Sequence, residues 1–201
     1  MFDAQLLAFV GVALVLTLTP GPDMALVLRN TLRGGRAAGL RTVAGIAVGL
    51  AGWALASALG VAAVLSASAT VFTALKLLGA VYLVYLGVQS LRAARREDDL
   101  EDQVAPRRGS PFRQGLVTNL LNPKLAVLFT TLLPQFIAAD DPAVAKSALL
   151  AGVFVAIGLT WLVIYTHLVE LLARSRAFRR GAEAVAGVVL VALGVRLAVE
   201  R

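Results

Sequence analysis

Asp23 and Lys124 are the two charged residues that sit deepest within apolar surroundings in this chain. Asp23 lies in a run from about Leu6 to Leu28, and Lys124 in one from about Gly115 to Phe136. A carboxylate in such a place can hold an ammonium group or carry a proton, and an ammonium can hold a carboxylate. Ionisable groups at membrane depth are expensive, so they face a bundle interior or a wet cavity and act there. A blander reading also stands: Asp23 compensates the dipole of a helix's first turn, and Lys124 is its counter-ion.

The residues around each charge break a helix. Thr19-Pro20-Gly21-Pro22-Asp23 contains two prolines without N–H groups, which frees the carbonyls of Leu16 and Leu18. Asn119-Leu120-Leu121-Asn122-Pro123-Lys124 repeats the theme 103 residues later. Each break reads as a restart, with Thr19 or Asn122 as the N-cap and Pro20 or Pro123 as the first helical residue. Restarted helices present unpaired N–H groups, here expected from Gly21, Asp23, Lys124 and Leu125, and two such ends facing one cavity suit a carboxylate. Asn119 and Asn122 add amide hydrogen bonds. Paired breaks at corresponding places mark the central site of a transporter.

The elements that must position these groups are apolar throughout. Of the 201 residues 59% are of hydrophobic type and 15% are charged, which excludes an ordinary soluble domain. Six spans can be drawn, at about 5–28, 42–65, 70–91, 113–136, 147–171 and 182–199. All the arginines except Arg196 and Arg201 fall between spans one and two, three and four, or five and six. The positive-inside rule puts those segments in the cytoplasm and both termini outside. The net charge of +7 is then a topology signal and calls for no nucleic acid. The first span has no basic residue before it and is read as retained. Residues 92–112 form a charged cytoplasmic linker between two halves, 1–91 and 113–201, of one transmembrane domain.

The halves resemble each other. Val81 to Val88 (VYLVYLGV) matches Val188 to Val195 (VVLVALGV) at an offset of 107, and Trp53 matches Trp161 at 108. Three spans per half give opposite orientations. The expected fold is therefore an all-α integral membrane protein of six helices, two inverted three-helix repeats with helices 1 and 4 broken. Lys76 and Glu183 also correspond at 107 and are candidates for proton coupling beside Asp23, although snorkelling to the interface explains both as well. Small residues at Gly45, Gly49 and Gly52 allow close packing within the monomer or between two copies.

Thr19 to Asp23, Asn122 to Lys124, and Lys76 to Gly87 (KLLGAVYLVYLG) together resemble the LysE/RhtB family of bacterial amino-acid exporters, over essentially the whole chain. The resemblance implies export of amino acids such as lysine, arginine, threonine, homoserine or leucine across the inner membrane, driven by protons. The TPGPD form is more similar to the homoserine/threonine branch. A substrate site of Thr19, Pro20, Gly21, Pro22, Asp23, Asn119, Asn122, Pro123 and Lys124 suits a zwitterion. No enzyme, cofactor or metal site is expected. The rival reading is a small six-helix metal-cation exporter, for which one His and no Cys are a poor ligand set.

Overall fold

A computed structural model of the chain describes residues 4–59, 69–96, 109–138, 140–173 and 176–199. Among them there is no strand, and the chain is all-helical. Helix α1 runs Ala4–Leu18 and α2 runs Pro22–Ala58. Helix α3 is Ala69–Arg96, and α4 is Pro111–Leu120. After a one-turn break α5, Pro123–Val127, continues through a wide turn at Leu128–Leu132 and a tight one at Leu133–Phe136. Helices α6, Ala143–Leu172, and α7, Arg176–Val199, complete the bundle. Most of the expected linker, residues 97–108, lies outside the described residues, as does the end of the second expected span.

Proline and glycine explain the punctuation. Pro22, Pro111 and Pro123 each open a helix, where a missing N–H costs nothing. The segment expected to connect the first two spans is itself helical: α2 passes through it with a kink at Gly34 and Gly35. Gly35 has φ +66°, a conformation that favours glycine. By length and composition Pro22–Ala58 and Ala143–Leu172 can each cross a membrane, and α4 with α5 to Phe136, bent by 47°, makes a third.

One core lies between α1, α2, α5 and α6, where Phe129 stacks on Trp53 and meets the edge of Phe154. A second joins Leu26 of α2 to Leu83 and Leu86 of α3 and Leu190 of α7. Outward faces stay apolar, as with Leu7, Leu14 and Val15 on α1 and Val188 and Val195 on α7. Such faces suit lipid. Since acyl chains are as apolar as leucine, cohesion inside must come from close packing.

Glycines supply it. A Cβ on Gly45 would collide with the Phe112 carbonyl, and one on Gly115 with the Thr42 carbonyl, so α2 and α4 touch backbone to backbone. Between α3 and α7 the pattern is reciprocal. A Cβ on Gly194 would lie 2.8 Å from the Ala80 carbonyl, and one on Gly87 2.8 Å from the Gly187 carbonyl. Replacing Gly45 by valine is expected to lower the thermal midpoint of the detergent-solubilised chain by several degrees, as overpacking costs about 1–3 kcal/mol. Gly152→Val, where an added Cβ meets nothing within 4 Å, leaves it in place. Equal midpoints for the two variants would mean that α2 and α4 do not approach this closely.

Candidate functional site

The two breaks meet. Asp23 stands in the first turn of α2, and its Oδ2 accepts from Asn119 Nδ2 at 3.1 Å and Asn122 Nδ2 at 3.3 Å. Asn119, fully buried at the end of α4, and Asn122, buried in the break, thus tie the second discontinuity to the first. Lys124 makes the return link. Its ammonium donates to the carbonyl of Leu16 and, at 3.1 Å, to that of Thr19. The Leu16 carbonyl is the one that Pro20 leaves without a helical partner.

Each charge is therefore held by dipoles from the other break. Asp23 rests on two side-chain amides and Lys124 on two backbone carbonyls, and the two form no direct ion pair in the structure. The reading of Lys124 as a counter-ion to Asp23 becomes more specific: it is the donor that satisfies broken backbone. Uncompensated carbonyls in a bilayer interior cost several kcal/mol each, which gives this bond its weight.

The helix starts differ from expectation at the first break. Thr19 is not the N-cap. Its amide and its hydroxyl both turn back to the Val15 carbonyl, at 3.0 and 2.7 Å, and extend α1. Gly21 caps α2 instead, extended at φ −156° and ψ −174°, with Pro22 first in the helix. Proline pushes its predecessor into the extended region, so the second proline sets the restart. Asn122 does cap α5, with its Oδ1 accepting from the Lys124 amide at 3.1 Å. The amides of Lys124 and Leu125, expected to be free, are occupied by the Asn122 side chain and carbonyl. The open donors thus belong to the first turn of α2 alone, whose first backbone bond is Ala25 N–H to Gly21 C=O at 3.1 Å.

Between the breaks and α6 lies a cavity of about 60 Å³. Thr19, Gly21, Asp23, Asn122 and Lys124 line it, together with Thr17 and, from α6, Gly158 and Trp161. Pro20, Pro22 and Pro123 shape the backbone without lining the cavity, and Asn119 stands behind Asp23. Three buried polar atoms here have no partner: Asp23 Oδ1, Thr17 Oγ1 and Trp161 Nε1. The side chains of Lys76 and Glu183 fall outside what the structure describes. Among the described residues, no three His, Asp or Glu side chains gather where they could hold a metal ion.

Sequence reasoning missed a second polar layer. Arg29, treated above as a cytoplasmic topology charge, is buried and donates to Gln89 at 2.8 Å and Gln114 at 3.3 Å. Asn30 donates to Thr42 at 2.9 Å and to Gln114 at 3.0 Å. These residues are scattered over α2, α3 and α4, and only a helix continuing past Leu28 could have hinted that Arg29 stays inside. Trp161 and Gly158 were missed as lining residues too, although the match of Trp161 with Trp53 was a signal.

A family model described as LysE type translocator matches residues 14–201. The chain is 32% identical to the uncharacterized membrane protein YrhP of Bacillus subtilis, over 96% of this chain and 97% of that one. It is 28% identical to the homoserine/homoserine lactone efflux protein of Salmonella typhimurium, over 83% and 81%. It is 27% identical to the threonine efflux protein of Escherichia coli K12, over 98% and 100%. No solved structure matches the chain.

Lys124→Met removes the donor to Leu16 and Thr19 while keeping an unbranched apolar stem. It is expected to destabilise the full chain in detergent by about 1–3 kcal/mol, the worth of hydrogen bonds from a charged donor, read as a lower thermal midpoint. An unchanged midpoint would show that the ammonium does not hold the broken backbone.

Proposed function

The chain belongs to the LysE type translocator family, and on that premise we propose that it exports a small zwitterionic amino acid from the cytoplasm in exchange for protons. Relatives named for threonine efflux and for homoserine/homoserine lactone efflux support a homoserine- or threonine-like substrate. The observation that carries the reading is the Asp23 carboxylate. Two asparagines fix its Oδ2, and its Oδ1 is buried without a partner beside the cavity. A buried acceptor in that state suits an ammonium group.

The same oxygen suits a proton once the ammonium has left. Proton and substrate then exclude each other at one carboxylate, which is the minimal chemistry of antiport. Thr19, Gly21, Asn122 and Lys124 complete the polar wall, with Asn119 holding Asp23 in place and Pro20, Pro22 and Pro123 keeping the helices open. Lys76 and Glu183 are further places where a proton can be handled.

The proposed frame is six spans in two inverted repeats, residues 1–91 and 113–201, joined by the cytoplasmic segment 92–112. Helix α1 with the start of α2 is span one, the rest of α2 span two and α3 span three. Helices α4 and α5 are span four, followed by α6 and α7. The reciprocal contacts of α3 and α7 support this. Ala80 meets Gly194 and Gly87 meets Gly187, and under the offset of 107 each contact is the image of the other, as a two-fold relation requires. Both termini then lie outside, in a bacterial inner membrane. Alternating access is the rocking of one half against the other.

Cells preloaded with amino acids are expected to lose one or a few of them when they express the wild type. They retain them when they express Asp23→Asn at the same membrane level, and a protonophore slows the wild-type loss. Equal efflux from both strains would remove Asp23 from the mechanism, and efflux indifferent to the protonophore would remove the proton. A periplasm-only reporter enzyme fused to the C-terminus is expected to be active; an inactive fusion at normal expression would reverse the orientation.

A further inference from the structure

The polar wall of the cavity offers the substrate's carboxylate the open amides of the first turn of α2 and the Thr17 hydroxyl, but no uncommitted positive charge. Lys124 lines the cavity, but its ammonium is engaged by the carbonyls of Leu16 and Thr19. The opposite wall is α6, where Phe154, Gly158, Trp161 and Leu162 lie on one helical face. The indole N–H of Trp161 is the unpartnered side-chain donor there, buried and donating to nothing. Indole nitrogen is a donor only and in buried settings normally finds an acceptor.

The internal correspondence supplies a contrast. Trp53, the counterpart of Trp161, donates its N–H to the backbone carbonyl of Asn119 at 3.3 Å. The offset of 103 that relates the two breaks makes Leu16 the counterpart of Asn119, and Lys124 has taken the Leu16 carbonyl. Lys124 in turn corresponds to Gly21, which has no side chain to compete for the Asn119 carbonyl. One tryptophan is thereby tied to broken backbone and the other is left open to the cavity.

Gly158 adds a second observation. Gly45, Gly49, Gly87 and Gly115 are buried because a neighbour fills the place of the missing side chain. Gly158 is buried, yet a Cβ there would meet nothing within 4 Å. The space before it is the cavity itself, which it lines one helical turn from Trp161.

We infer that Trp161 donates its indole N–H to the substrate carboxylate and that the space over Gly158 receives the substrate side chain, so that this face of α6 sets which amino acid is carried. The inference rests on the amino-acid export reading above. The amino acid then lies across the cavity, ammonium at Asp23 and carboxylate at Trp161. A cavity of about 60 Å³ has room on the order of four waters at one probe sphere each, which favours a short side chain.

The test uses the full-length wild type in proteoliposomes, with labelled alanine, threonine, homoserine and leucine as probes. Trp161→Phe keeps an aromatic ring against Tyr165, whose centroid lies 6.1 Å from the indole, and removes the N–H together with one ring of the indole. It is expected to raise the half-saturating concentration about tenfold, the loss of one hydrogen bond to a charged group, with little change in maximal rate. Gly158→Ala is expected to depress leucine transport about tenfold relative to alanine. Wild-type transport with an unchanged half-saturation in Trp161→Phe, or an unchanged alanine-to-leucine ratio in Gly158→Ala, would overturn the inference while leaving the export reading intact. No transport of any amino acid by the wild type would overturn the export reading and this inference with it.

Discussion

The structure depends on satisfying backbone left open at two proline-bearing breaks inside an apolar bundle. Water is not there to do it, so the partners must come from protein. The Lys124 ammonium supplies them for Leu16 and Thr19, and the Trp53 indole joins the Asn122 amide on the carbonyl of Asn119. Both side-chain donors come from another part of the chain, so each break is stable only when the other elements are in place. The carboxylate of Asp23, drawn in by Asn119 and Asn122, closes the same circuit from the acidic side. Site and fold are thus one set of bonds, and the polar groups that would bind a solute also hold the helices in register.

Close approach is the second requirement, since these bonds are short. Gly49 leaves room for the amide of Asn119, and Gly79 for the carbonyl of Leu121, where a Cβ would sit at 2.5 Å in either case. The backbones of α2 and α3 therefore come up against the second break from two sides. Further along α2, Arg29 and Asn30 join Gln114 and Gln89 in a buried layer that ties α2 to α4 and α3. Under the proposed orientation this layer lies on the cytoplasmic side of the cavity. The layer thus adds polar bonds to the backbone contact between α2 and α4.

Much of this was legible in the sequence. Both breaks, the Asn122 cap, the inward placing of Asp23 and Lys124 and the close-packed glycines follow from the chemistry of proline, asparagine, charge and size at those positions. The missed features share a cause: they depend on which of several plausible partners is nearer in three dimensions. Thr19 had a helix to cap and a helix to extend, and only the second proline, acting on Gly21, decided between them. Arg29 read as a topology charge because nothing local marks the amides that surround it from distant helices. Trp161 read as a marker of the repeat because the cavity it lines is assembled from other elements.

The proposed inverted repeat and the site obey opposite demands. A two-fold frame offers two equivalent wells for alternating access, as the reciprocal crossings of α3 and α7 illustrate. An amino acid, however, is a polar object with distinct ends, and a symmetric site would present the same groups to both. The chain departs from its own repeat at the positions that matter: Asp23 corresponds to Ala126, and Lys124 to Gly21. Each substitution places one charge on one side of the axis with no image on the other. The Trp161 indole is unpartnered where that of Trp53 is bound. In the proposed mechanism the scaffold keeps its symmetry for movement while a few side chains at its centre break it for recognition.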